Sequence, residues 1–198
     1  NTYGNFTLTG DIDASETDGE LVFNVKINRL SSKGGPYAIK NVTHQVTGFR
    51  ESLIHTCLSG ISNVRFENIQ WEVPEDKRGT TYNYISLIGL NQGTISQVEF
   101  KNVAIRSGKG NYTGCIGYST GHLENITLTG IVAQSEGSYV GGLAGCSMPG
   151  QPASKITATG KLEQQDGDYR SSYEVSGVTR VGGIMGEGWV NDCSKANG

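Results

Sequence analysis

The sequence predicts an all-β protein, a right-handed parallel β-helix (solenoid) of about six or seven short coils. Three observations support this fold class: an internal repeat, period-two alternation of apolar residues within each repeat, and an Asn or Gly at one fixed place after each alternating strand. Glycine is abundant, at 29 of 198 residues, with only four prolines and no collagen period, so it serves turns and close packing.

Each repeat contains two apolar residues followed by a small residue, which sets the register of the alignment. The small-residue anchors are His55, Gly89, Gly117, Gly145 and Gly186. The residues two places before them are Leu53, Leu87, Cys115, Leu143 and Ile184, and those one place before are Ile54, Ile88, Ile116, Ala144 and Met185. Two positions of the repeat are therefore apolar in every copy, as residues stacked in a core must be.

After the anchor and a turn comes an alternating strand. Its first apolar column is Val64, Val98, Ile126, Ile156 and Cys193; two residues on stand Phe66, Phe100, Leu128, Ala158 and Lys195. Four residues after the first column stand Asn68, Asn102, Gly130, Gly160 and Asn197. Asn and Gly are the residues that best tolerate the left-handed αL conformation, so this last column predicts a sharp corner.

The anchors are 34, 28, 28 and 41 residues apart, which suits one coil of two or three strands per repeat. Right-handed coiling is expected because parallel crossovers are almost always right-handed. Phe6, Leu8 and Gly10 show the same apolar, apolar, corner spacing, so we expect the amino-terminal segment to join the same array.

Residues 1–198 are interpreted as a single β-helix repeat domain, a fragment of a larger protein, because the chain starts at Asn1 without an initiator Met. The net charge of −3 offers no electrostatic platform for nucleic acid, and no apolar run is long enough to insert in a membrane. The four cysteines form no CxxC pair; Cys115 and Cys193 are predicted core thiols, while Cys57 and Cys146 are left open.

The segments SYVGGLAGCS and TRVGGIMGEG resemble the GLUG motif, a Gly-rich repeat of bacterial surface proteins. Together with GNFTLTGDIDAS, SNVRFENI and SQVEFKNVAI, they make the chain resemble the non-catalytic β-helical region of immunoglobulin A1-specific zinc metallopeptidases from Gram-positive bacteria. That resemblance implies a secreted or cell-wall-attached, extracellular module upstream of a separate protease domain.

We therefore expect a non-catalytic structural and presentation module with no catalytic residue, metal site or cofactor, since the chain lacks the HExxH helix of a zinc protease. Its expected partners are other domains of the same polypeptide and a host protein such as an immunoglobulin, or a glycan. One alternative is an adhesin module that binds host glycan or protein. A polysaccharide lyase or hydrolase is a further alternative, although the columns supply no cluster of carboxylates.

Candidate partner-binding residues lie in the insertions of the two long repeats, which we expect to leave the same edge of the solenoid. Insertions on one face commonly form the binding face of a repeat protein, and Tyr and Arg commonly anchor interfaces. The candidates are Lys77, Arg78, Tyr82, Tyr169, Arg170 and Tyr173. His55, in place of an anchor glycine, is a further candidate; the acidic stretch at residues 11–20 is a solvated turn or, alternatively, a calcium site.

Overall fold

The computed structural model describes residues 3–16, 22–148, 153–160, 162–165, 168–171, 173–188 and 190–196. It is nearly all β, with 72% of residues in strands and 4% in helix, and its main parallel sheet curls into a half-barrel. Among the described residues, no helix has the length and apolar character needed to cross a membrane.

The strands are β1 (Gly4–Leu8), β2 (Ile12–Asp13), β3 (Val25–Ser32), β4 (Tyr37–Gln45), β5 (Arg50–Glu72), β6 (Thr81–Tyr82), β7 (Tyr84–Asn91), β8 (Thr94–Arg106), β9 (Lys109–Ser119), β10 (Leu123–Gln134), β11 (Ser138–Gly141), β12 (Ala144–Ser147), β13 (Ala153–Thr159), β14 (Leu162–Gln165), β15 (Asp168–Ser171), β16 (Glu174–Ser176), β17 (Thr179–Gly182), β18 (Met185–Glu187) and β19 (Val190–Ala196). Two 3₁₀ turns cover Ala14–Glu16 and Glu75–Lys77.

The parallel pairings arrange the chain as layers, each hydrogen-bonded to the layer before it and the layer after it. The layers, numbered one to seven, span residues 4–16, 25–45, 50–72, 81–106, 109–134, 138–176 and 179–196. Equivalent residues of adjacent layers lie 23 (Gly4 and Ile27) to 42 (Val132 and Glu174) positions apart in the chain. An antiparallel hairpin of β14 and β15 leaves the array within layer six.

The register deduced from the repeats is confirmed. Val64 pairs with Val98, Val98 with Ile126, Ile126 with Ile156 and Ile156 with Cys193. The anchors align as well, because the residues on either side of them pair in every adjacent layer from β5 to β18. One shared register therefore runs from layer three to layer seven.

The interior is filled by apolar columns that continue from layer to layer. Phe66 and Phe100 are fully buried and stack with ring centroids 5.2 Å apart and planes 11° from parallel. Cys57 and Cys115 are also fully buried, so the open question on Cys57 is settled in favour of an interior thiol. Burial raises the pKa of Cys57 to about 11 and that of Cys115 further.

Three of the five predicted corner residues adopt the αL conformation, with φ of 54° at Asn68, 52° at Asn102 and 62° at Gly130. Asn197 lies outside the described residues. The structure extends the corner column to Asn41, with φ of 58°. The Asn102 amide donates to Asn68 and the Asn68 amide to Asn41, each at 3.1 Å. This amide ladder provides hydrogen-bond partners for the Asn side chains, at positions where the αL conformation already favours Asn.

The Asp13 carboxylate continues the amide ladder into layer one. It accepts from the Asn41 amide at 2.9 and 3.0 Å and from the Ser15 hydroxyl at 2.6 Å. Asp11 accepts from the backbone N–H of Ala38 and pairs with Lys40. In the acidic stretch these two carboxylates thus attach layer one to layer two; Asp18 and Glu20 lie outside the described residues.

The amino-terminal segment joins the array, as expected, but the strand whose spacing matches the repeat is not the one that aligns with its columns. Phe6 pairs with Leu30, which pairs with Ile61, and it is Ile12 that aligns through Ile39 with Phe66. Phe6 is 52% exposed. More than one strand of a layer shows the same apolar alternation. The pattern alone therefore does not tell which strand of the next layer a given segment pairs with.

The expectation that both insertions leave one edge is wrong. The first follows Glu72, whereas the second lies between Thr159 and Glu174. Residues 174–176 pair with 132–134, which pair with 104–106, which in turn pair with 70–72. These residues occupy the same strand position in successive layers. The first insertion leaves the array after this strand position and the second before it, so the two insertions leave the array at opposite ends of one strand.

Replacing Phe100 with Asp should destabilise the fold by about 4 kcal/mol or more, because it buries an unpaired charge between two layers. Lys109→Asp, at an exposed position of β9, should change stability by less than about 0.5 kcal/mol. Thermal and denaturant unfolding of the two variants measure the difference. An unchanged melting temperature for Phe100→Asp would contradict the register.

Acid should weaken the attachment of layer one. Hydrogen bonds from Ser15 and then Asn41 hold the pKa of Asp13 below its usual 3.8. A lowered pKa stabilises the folded state above pH 3.8, and that contribution disappears as the pH falls through the folded-state value. Asp13→Asn should therefore lower the melting temperature more at pH 6 than at pH 2; an equal effect at both pH values would contradict this assignment.

Candidate binding groove

A column of large side chains runs along the outer surface of layers three to seven. Its members are Arg50, Tyr84, Tyr112, Tyr139 and Arg180. Arg50 pairs directly with Tyr84, and the pairs on either side of the others place them in the same column. We refer to these five residues as the tyrosine column.

The three rings of the tyrosine column stack on one another. The Tyr84 and Tyr112 centroids are 5.4 Å apart, and those of Tyr112 and Tyr139 are 4.9 Å apart. Arg180 closes one end, with its guanidinium 4.6 Å from the Tyr139 centroid and a 2.7 Å hydrogen bond to the Tyr139 hydroxyl. Arg50 stands at the other end, 5.9 Å from the Tyr84 centroid. The inner ring faces are therefore covered, and edges and hydroxyls remain for a ligand.

The anchor glycines lie beside the tyrosine column and need to be glycine. A Cβ on Gly117 would stand 3.1 Å from the Tyr84 ring and 2.8 Å from the carbonyl oxygen of Gly89. A Cβ on Gly145 would come within 2.6 Å of the Tyr112 Cα. The glycine column thus provides a shallow groove in which the rings lie close to the backbone.

The opposite wall of the groove is formed by Leu90, Tyr118, Cys146 and Glu187, which pair in register. Tyr118 meets Tyr112 edge to face, with centroids 5.3 Å apart. Burial is the main cause that raises the pKa of both tyrosines and of Cys146. The tyrosine hydroxyls are therefore neutral near pH 7 and act as hydrogen-bond donors and acceptors.

The backbone beneath the tyrosine column is strained. Tyr112, Tyr139 and Arg180 have φ angles of 62°, 59° and 51°. An αL conformation costs a bulky residue roughly 1–2 kcal/mol. Each stacked aromatic pair contributes about 0.5–1.5 kcal/mol beyond burial, so the ring contacts offset this strain.

The groove opens into a cavity of about 140 Å³ at its layer-three end. Its lining residues are Arg50, Ser52, His55, Tyr84, Gly89 and Leu90. His55 is half-buried, and its Nδ1 lies 2.8 Å from the Thr56 hydroxyl. This places the sequence candidate His55 in a cavity, next to Arg50 and Tyr84, neither of which sequence reasoning singled out.

The insertion candidates are not brought together. Lys77 is exposed and Arg78 donates to the Val73 carbonyl, whereas Tyr82 is only 4% exposed and donates to the Lys77 carbonyl. Burial thus removes Tyr82 from the surface where we expected a partner to bind. In the second insertion, Tyr169 and Arg170 lie on β15, and their side chains are outside the described set.

Tyr173 follows β15 and turns inward rather than outward. Its ring packs partly buried against the core, and its hydroxyl donates to the Gly183 carbonyl at 2.6 Å. Tyr173 therefore joins layer six to layer seven, and the sequence pattern offered no sign of this inward orientation.

A second polar cluster, also absent from the sequence prediction, lies under layer three. Glu51 is buried, with its carboxylate 2.8 Å from His44 Nε2 and accepting from the backbone N–H groups of Thr47 and Gly48. The His44 ring lies 4.3 Å from the Trp71 ring. These contacts hold the turn before β5. Within the described ranges, no group of three or more His, Cys, Asp or Glu side chains is arranged to hold a metal ion.

A search against known protein families, curated proteins and solved structures finds no match to this chain. The residues and geometry of the groove therefore carry the functional argument.

Tyr112→Ala should destabilise the fold by about 2–3 kcal/mol, because it removes ring contacts but keeps a Cβ in the αL conformation. Tyr112→Gly loses the same contacts and relieves the strain, so it should be about 1 kcal/mol more stable than Tyr112→Ala. Denaturant unfolding compares the two. If the Gly variant were the less stable, backbone strain at Tyr112 would not contribute to the stability of the fold.

Proposed function

We propose that this chain is a non-catalytic structural and presentation module of a secreted or cell-wall-attached bacterial protein. The observation that supports it is the single register shared by layers three to seven, with apolar columns filling the space inside. In such a stack each layer is held by two neighbours, which suits a spacer that keeps other groups at a fixed separation.

The proposal includes closure of the parallel sheet into a right-handed β-helix. It is supported by β5, which runs for 23 residues and pairs with two strands of the previous layer and two of the next. A chain that returns to a parallel neighbour every 23 to 42 residues makes crossovers, and parallel crossovers are right-handed in nearly all known cases.

The partner proposed for this scaffold is a zinc metallopeptidase domain of the same polypeptide. The GLUG-like segments around Gly145 and Gly186 are the basis for this partner. The hairpin of β14 and β15 projects from the array and is the segment best placed to contact a protein substrate such as an immunoglobulin.

The test compares the isolated chain with the full-length parent protein. The isolated chain should not cleave immunoglobulin A1, and detectable cleavage would overturn the proposal. In the parent, replacing residues 162–171 by a Gly-Ser linker should raise KM for the protein substrate and leave kcat unchanged. The matched control replaces the first insertion, residues 75–80, in the same way. A fall in kcat alone would contradict a presentation role.

The groove favours a second candidate function, an adhesin module that binds host glycan or protein. The supporting observation is the cavity beside Arg50, His55 and Tyr84, because concave sites that combine an aromatic wall with a few polar groups are typical of ligand sites. A parent protein that lacks any protease domain but binds host cells through this chain would favour the adhesin over the presentation module.

A further inference from the structure

The cavity lies at the layer-three end of the groove, where the stack of tyrosine rings ends at Tyr84. Beside Gly117, the neighbouring space is occupied by the ring of Tyr84 from the previous layer. One layer earlier, beside Gly89, the corresponding residue is Arg50 instead of a tyrosine. No ring from the column fills that space, and the cavity of about 140 Å³ lies there.

Arg50 lines the cavity and hydrogen-bonds to a residue of the next layer. With the Asn83 amide oriented so that its oxygen faces the guanidinium, that oxygen accepts from Arg50 Nη2 at 2.9 Å and from Nε at 3.1 Å. The remaining guanidinium N–H groups are available to a ligand, because Arg50 donors exceed those used by Asn83.

The size and the walls of the cavity suit one six-membered ring. An engineered protein cavity of roughly 150 Å³ holds a benzene molecule, so the volume is of the right order. Tyr112 covers one face of Tyr84, and the other face lies on the side of Arg50 and the cavity. Leu90 supplies the apolar side of the opposite wall.

Two positively charged side chains lie near the cavity, which favours an anionic ligand over a neutral one. Arg50 and Lys26 both lie close enough to His55 to lower its pKa, after the larger effect of burial. None of the ion pairs found among the described residues involves Arg50 or Lys26. Arg50 lines the cavity, and Lys26 pairs with Thr56, the residue after His55. Two cations without a carboxylate partner among the described residues therefore lie near His55, although the chain as a whole carries a net charge of −3.

We propose that this cavity binds a single carboxylate-bearing sugar ring of a host glycan, a uronic acid or a sialic acid. The sugar ring packs against the part of the Tyr84 ring that lines the cavity and against Leu90, its carboxylate pairs with Arg50, and a hydroxyl hydrogen-bonds to His55. A buried aromatic side chain of a protein partner would use the ring-shaped space but not the cations, so the charges favour the sugar. This inference rests on the second candidate function, binding, and not on the scaffold role.

The experiment titrates the whole chain with four probes followed by backbone amide NMR shifts and calorimetry. The probes are the methyl glycosides of glucuronic acid and N-acetylneuraminic acid, methyl glucoside as the neutral match, and N-acetyltyrosinamide. At least one acidic sugar should bind at least tenfold more tightly than methyl glucoside, with shifts confined to Gly89, Leu90 and their neighbours.

Three variants test the geometry. Arg50→Gln should weaken acidic-sugar binding at least tenfold, while Arg29→Gln, the same charge change at an exposed residue outside the cavity, should leave it unchanged. Arg50→Tyr should abolish binding by extending the ring stack into the cavity, with an unfolding midpoint no lower than that of the parent chain. Retained binding by Arg50→Tyr would overturn the proposed site.

The other outcomes are equally decisive. Equal affinity for the acidic sugars and methyl glucoside would overturn the role of charge. Binding of N-acetyltyrosinamide without binding of any sugar would reassign the cavity to a protein partner. If no probe binds, the sugar site is overturned, while adhesion by the full-length protein, measured separately on host cells, still decides whether the second candidate function holds.

Discussion

In-register pairing of parallel strands is the interaction on which the rest of this structure depends. Each inner layer hydrogen-bonds in register to the layer above and the layer below. A side chain on a paired strand therefore has an equivalent side chain of the same orientation about one strand spacing away. Apolar positions therefore meet apolar positions, as at Phe66 and Phe100. Amide positions meet amide positions, as at Asn41, Asn68 and Asn102. A change at one position is consequently felt in two neighbouring layers.

The corners show two chemically different solutions to one backbone requirement. Where the αL residue is Asn, its side-chain amide hydrogen-bonds to the Asn of an adjacent layer, and Asn adopts this conformation at little cost. Where it is Tyr112 or Tyr139, the backbone is strained and the rings offset the strain by stacking on each other. Tyr84 differs from both, because its φ is not positive and only one of its faces is covered by a column ring. On its other side the guanidinium of Arg50 lies 5.9 Å from the ring centroid, farther than Arg180 lies from the Tyr139 ring.

The sequence placed the candidate binding site in the insertions, whereas the structure favours the groove. Tyrosine and arginine in long loops were the sequence-based candidates, yet Tyr82 is buried and Tyr173 faces Gly183. The tyrosine column had a signal that could have been found: Arg50, Tyr84 and Tyr112 each lie five residues before an anchor, and Tyr139 and Arg180 lie six before. The one-residue difference, together with the change from Arg to Tyr, obscures that column when repeats are compared for apolar character alone.

The sequence by itself determined the register of layers three to seven, because periodic apolar and corner residues must stack on their own kind in a parallel array. It also determined the αL corners at Asn68, Asn102 and Gly130, since few other residues accept that conformation. Only the tertiary structure decided the register of layer one, the different exits of the two insertions and the cavity beside His55. These features depend on which strand of a layer meets which, and on where a large side chain is missing from a stack. Local periodicity contains neither kind of information, because the same alternating pattern serves several strands and an empty space has no residue of its own.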